Sequence, residues 1–281
     1  MSWLAFGDCL ITGSLLEQVD GLGARARVVG TSITEAVFPL LRRPPAVDAV
    51  VFAGMPGFYS VRSHSARTTI RDLHTASSWV GQHLVAGDVA VFENGTSMRN
   101  ALICARAGCR RIDVPRVHGA YQDRYDCYSA LLPGMEPFQP MPLPTAKATR
   151  LLVNPCARSR DRQLPLAMVE SLVHRAKTRG IDTVLLDMNG DFAPLRDQVT
   201  TYAREPALSE SVALLKSSDR YIGPDSFFVH LAYYFQVPSL SVFHRDNVYF
   251  MPPGTSEQRS YLYFDELADP RAVDKRIDVF M

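Results

Sequence analysis

Short apolar runs with the length and β-branched content of strands alternate along the chain with longer stretches whose apolar residues fall three and four apart. In the first half the strand-like runs are SWLAF, RARVVG, VDAVVFAG (Val47 to Gly54), DVAVFE and RRIDV. Between them the helical spacing predicts helices up to about Val19, from Ile33 to Leu41, from Thr68 to Leu84, from Thr96 and Ser97 to Gly108, and from Tyr121 to Leu132. Strands that alternate with helices predict crossover units and a mostly parallel sheet.

The pattern then breaks. LPGMEPFQPMPLPTAKA carries Pro133, Pro137, Pro140, Pro142 and Pro144, and neither a helix nor a central strand tolerates that density. We expect a boundary here, with one domain over 1–140 and a second over 141–281. The second half restarts the alternation: strand RLLVN, helix LPLAMVESLVHRAKTRG ended by Gly180, strand DTVLLD, helix Ser209 to Lys216, strand RYIG, a helix, and strand SLSVF. The expected fold is α/β, with two Rossmann-like doubly wound domains facing a central cleft at the carboxyl ends of their sheets.

Composition narrows the function. Thirty basic residues against 29 acidic ones leave no overall field for nucleic acid or an anionic membrane. No apolar run approaches the roughly 20 residues of a membrane span, which leaves only peripheral contact open. Five cysteines, odd in number and without ligand spacing, predict reduced thiols, a cytoplasmic protein and no metal site. G-x-G-x-x-G and G-x-S-x-G are both missing, which disfavours a dinucleotide oxidoreductase and a serine hydrolase.

The chemistry concentrates in GPDSFFVHLA, Gly223 to Ala232. A strand there runs into a helix whose first turn is expected to hold Asp225 and Ser226, with His230 one turn deeper. The first N–H groups of a helix have no internal partner and carry partial positive charge, so such an end accepts an anion. Plain capping by Asp and Ser, and a core role for His230, are the competing readings.

The longer segment YIGPDSFFVHLAYYFQVPSLSVF resembles glycosyltransferase family 9, the bacterial heptosyltransferase-like enzymes. Gly223, Asp225, Ser226, His230, Ala232, Val237 and Pro238 fall in register with the family's pattern. LAFGDCLITGSLL resembles the family's first strand and Gly-Asp turn. LLVNPCARSRDRQLPLAMVESLVHRAKTRG resembles the opening of its second domain, with Arg162 where the family has lysine. Phe227 stands where the family has glycine, and Asn154-Pro155-Cys156 replaces His-Pro-Gly.

The resemblance implies the GT-B architecture and an inverting, metal-independent sugar transfer from a nucleotide-diphosphate sugar, heptose or hexose-like, to an unidentified acceptor. It assigns Asp8 as catalytic base, with a helix N-cap as the competing role. Arg162, Asp225, Ser226, Phe227 and His230 would surround the diphosphate, and Asp191 in DMNGD would meet the ribose, with a solvated turn as its alternative. No cofactor is implied. A catalytically idle nucleotide-sugar-binding protein and a sugar-nucleotide epimerase are the rival functions on this fold.

Overall fold

A computed structural model describes residues 136, 138–254 and 261–281, and, nearer the N-terminus, 10, 18, 26–30, 36–40, 47–51, 86–87, 89–92, 104–105, 108–113 and 123–131. The chain divides into two compact units, Met1–Pro137 and Phe138–Met281.

In the first unit, strands β1 (Ala26–Gly30) and β2 (Val47–Val51) pair in parallel, as do β3 (Val89–Phe92) and β4 (Arg110–Asp113). Helix α1 spans Arg124–Leu131. The stretch from Ile33 to Leu41, expected to be helical throughout, closes on a 3-10 turn, Phe38–Leu40, which contains Pro39. The expected strand SWLAF and the helix from Thr68 to Leu84 lie outside the described residues.

The second unit is built on one six-stranded sheet. Its elements are β5 (Arg150–Val153), α2 (Leu166–Thr178), β6 (Asp182–Asp187), β7 (Thr201–Arg204), α3 (Leu208–Lys216), β8 (Arg220–Pro224), α4 (Phe227–Tyr234), β9 (Ser239–Phe243), β10 (Tyr261–Tyr263) and α5 (Pro270–Phe280). The strands lie in the order β10-β9-β8-β5-β6-β7, and all five pairings are parallel. Counted along the chain this is 6-5-4-1-2-3, the doubly wound order whose direction reverses between the first and fourth strands. β5 and β8 are those strands.

One face of the sheet, with Leu151, Val153, Leu185, Ile222, Leu240 and Val242, packs on Val169, Leu172 and Val173 of α2 and on Val273, Ile277 and Phe280 of α5. Strands β6, β8 and β9 are buried along almost their whole length, as in a sheet covered on both faces. Gly180 ends the turn after α2 at φ +68°, a conformation that favours glycine. The segment after the boundary is held against this unit: Tyr233 Oη donates to the Gln139 carbonyl (2.5 Å), and Met141 N donates to the Pro253 carbonyl (2.6 Å). Among the described residues no helix is long and apolar enough to cross a membrane.

Candidate diphosphate site at the switch point

The reversal between β5 and β8 leaves a crevice at their carboxyl ends, where ligands of doubly wound sheets bind. The register sets what stands there. Val153 pairs with Ile222, and the Asn154 N–H donates to the Ile222 carbonyl (3.0 Å), so the loop after β5 departs opposite Gly223. On the other side the Asp225 N–H continues the ladder to the Val242 carbonyl of β9 (2.8 Å). Pro224 lies between them and faces β5, where the ladder has already ended, so its missing N–H forfeits nothing.

That ladder bond corrects the sequence expectation that Asp225 and Ser226 lie inside the first helical turn. Asp225 is still extended backbone, Ser226 occupies the N-cap position (φ −155°, ψ 174°), and α4 begins at Phe227. Neither residue caps with its side chain. Ser226 accepts no bond from the first turn, and the Asp225 carboxylate turns away from the helix. Its Oδ2 accepts from Arg162 Nη1 (3.3 Å), out of the loop after β5, and from Asn247 Nδ2 (2.9 Å), out of the loop after β9. Burial pushes the Asp225 carboxyl above its ordinary range, and the pull of Arg162 and Asn247 works against that rise.

The remaining candidates divide. Phe227 is half-buried and packs edge-to-face on Phe228 (5.5 Å, 80°). His230 is buried within α4 at 5% exposure. Asp191 is exposed at the carboxyl end of β6, where its Oδ2 accepts from Gln163 Nε2 (3.0 Å) and Asn189 Nδ2 (2.8 Å). It thereby joins the loop after β6 to the loop that carries Arg162. Asp8 lies outside the described residues. Among the described residues no group of three His, Cys, Asp or Glu side chains is placed to hold a metal ion.

The loop around Asp191 is shaped by a residue that sequence reasoning passed over. Asp187 is fully buried, and its carboxylate accepts from the N–H groups of Gly190 (2.8 Å) and Phe192 (3.0 Å) and from Tyr202 Oη (2.6 Å). Burial, then this bond, pushes the Tyr202 phenol up to about 12. Asn247 was also missed, because its contact with Asp225 is made across 22 residues of chain. Its one legible signal was its place just beyond a strand beside the switch point. In the same loop His244 stacks on Phe264 (4.5 Å, 18°), and Arg245 lies over the Tyr263 ring (4.0 Å).

Among the described residues this arrangement presents a helix end whose N-cap serine does not cap, the Arg162 guanidinium beside it, and polar loops from β5, β6 and β9 around it. The whole chain can be set against solved structures. It superposes on Escherichia coli ADP-heptose lps heptosyltransferase II over 98% of its own length and 96% of that chain, with TM-score 0.67 and 16% identity. The fold is the one those enzymes share. Escherichia coli heptosyltransferase WaaC with ADP gives TM-score 0.64 at 14% identity, covering 97% of both chains. The glycosyl transferase family 9 structure from Veillonella parvula gives 0.66 at 12%, covering 97% of this chain and 87% of that one. The expected α/β GT-B fold is therefore the observed one. No family model matches the sequence, and no curated protein is significantly similar to it in sequence.

Proposed function

We propose that the chain is a glycosyltransferase that moves a heptose or hexose-like sugar from a nucleotide-diphosphate sugar to an acceptor hydroxyl. The observation that carries this reading is the convergence at the switch point of Arg162 with the N-terminus of α4, where the N-cap residue Ser226 makes no side-chain cap bond. Solved structures of the same fold include heptosyltransferases with ADP and with an ADP-heptose analogue.

The leaving diphosphate gathers negative charge as the bond from the anomeric carbon to its oxygen breaks. The N–H groups of Phe227 and Phe228, aligned with the helix dipole, and the Arg162 guanidinium meet that charge in a partly dry site, so the reaction needs no metal ion. Asp8 takes the acceptor proton while the acceptor oxygen attacks from the opposite face, which inverts the anomeric centre. A carboxylate with a pKa near 4 is ionised at neutral pH and depends on positioning to act as a base. Asp191, already oriented by Gln163 and Asn189, receives the ribose hydroxyls. Reduced cysteines agree with a cytoplasmic setting, where the acceptor is a glycan, a lipid-linked glycan or a small molecule.

The test is release of nucleoside diphosphate from a panel of ADP-, UDP- and GDP-sugars in the presence of glycan acceptors. Asp8→Asn is expected to abolish release without lowering the melting temperature. Release that survives Asp8→Asn removes Asp8 as the base, and no release from any donor contradicts the activity.

A further inference from the structure

Tyr221 sits on β8 with its ring stacked on Phe228 of α4 (6.4 Å, 19°) and is 0% exposed. Its hydroxyl reaches the carboxyl end of the strand and lies beside the side chains of Ser226 and Asn154. Room for it exists because residue 223 is glycine. A Cβ at that position would collide with Tyr221 Oη and would stand 2.7 Å from both Tyr221 Cζ and the Asn154 carbonyl oxygen.

Among the described residues neither Tyr221 Oη nor Ser226 Oγ makes a well-formed hydrogen bond, although both atoms are buried and Ser226 and Asn154 stand within reach of the phenol. Two buried hydroxyls side by side without good hydrogen-bond geometry are unfavourable in the free protein. Phenylalanine at 221 would fill the same space without that cost. Ser226 is equally unusual, since it holds the N-cap position and yet does not cap. A serine hydroxyl can accept one hydrogen bond while donating another. Its position between Tyr221 and the first turn of α4 suits it to both.

We propose that Tyr221 is a positioning residue for the bound diphosphate and acts through Ser226. Tyr221 Oη–H donates to Ser226 Oγ, and the Ser226 hydroxyl donates to a phosphate oxygen at the N-terminus of α4. The anion polarises the pair, so each bond strengthens the other. The inference rests on the reading that a diphosphate occupies this helix end.

Inorganic pyrophosphate and ADP, titrated calorimetrically into the whole chain, test it whatever the donor's base. Tyr221→Phe keeps the ring and its stacking and removes only the hydroxyl. This variant is expected to melt at or above the wild-type temperature and to bind pyrophosphate about tenfold more weakly. Ser226→Ala reads the relay from its other end, and the double variant is expected to bind no more weakly than Ser226→Ala alone. Unchanged affinity in Tyr221→Phe overturns the inference. So do additive losses, or a loss that accompanies a lower melting temperature. A wild-type protein that binds neither probe overturns the diphosphate site itself, so the two failures are told apart.

Discussion

Arg162 Nη1 stands 3.3 Å from Asp225 Oδ2, and this pair joins the loops that follow β5 and β8 across the switch point. Asp225 is nearly buried, with a side chain 9% exposed against 28% for Arg162. The carboxylate is thus the fixed member and the guanidinium the one with access to solvent. Asn247 bonds the same carboxylate oxygen, so Asp225 keeps a partner when Arg162 turns toward an arriving phosphate.

Replacing Arg162 therefore affects binding and stability together. Arg162→Ala is expected to weaken ADP binding about 10- to 100-fold, and to cost roughly 1–3 kcal/mol of stability by leaving a buried carboxylate half-satisfied. Arg162→Lys restores charge without the fork and should recover part of the affinity. Titration calorimetry and urea unfolding measure the two effects.

Asp225 gives a pH dependence of fixed sign. Its folded-state pKa lies above the ordinary 3.8 because of burial, so the folded protein holds this proton more tightly than the unfolded chain. Its contribution to stability is then largest below that value and is lost as pH rises through the interval above it. Asp225→Asn should remove this slope. Melting temperatures of the two proteins, compared from about pH 4 to about pH 6, are expected to show the wild type losing ground to the variant as pH increases.

Asp187 predicts a structural defect at a distance from the chemistry. With asparagine there, one carboxylate oxygen becomes an amide NH2 group, which would face either the Gly190 N–H that Oδ1 accepts or the Phe192 N–H and Tyr202 hydroxyl that Oδ2 accepts. We expect Asp187→Asn to lose about 2–4 kcal/mol in urea unfolding, and Tyr202→Phe about 1 kcal/mol. Equal stabilities for all three proteins would contradict the role given to this buried carboxylate.

The central strands were legible because burial on both faces leaves their interiors uncharged and rich in Val and Leu. DTVLLD and SLSVF coincide with β6 and β9, and the helix over Leu166 to Thr178 was signalled by Gly180 beyond its end. The outer strands were not legible. β7 (TYAR) and β10 (YLY) are short and only partly buried, so neither has the apolar run that marks a strand. α5 was missed although Asp269, which accepts from the Arg271 and Ala272 N–H groups, and Pro270 form a readable start. Its charged surface hides Val273, Ile277 and Phe280, spaced four and three apart toward the core. At the site, Arg162, Asp225 and Ser226 were readable as residue types in order, but their pairing was not. The switch to Asn247 and the packing of Tyr221 over Gly223 depend on which strands are neighbours, and no local spacing reports that.

The most direct measurement is a crystal structure of the protein with ADP bound. The diphosphate is expected within hydrogen-bond reach of the Phe227 and Phe228 N–H groups, with the Arg162 guanidinium turned onto it and Asp225 still held by Asn247. ADP bound elsewhere, with Arg162 still on Asp225 and no phosphate at the start of α4, would contradict the proposed site.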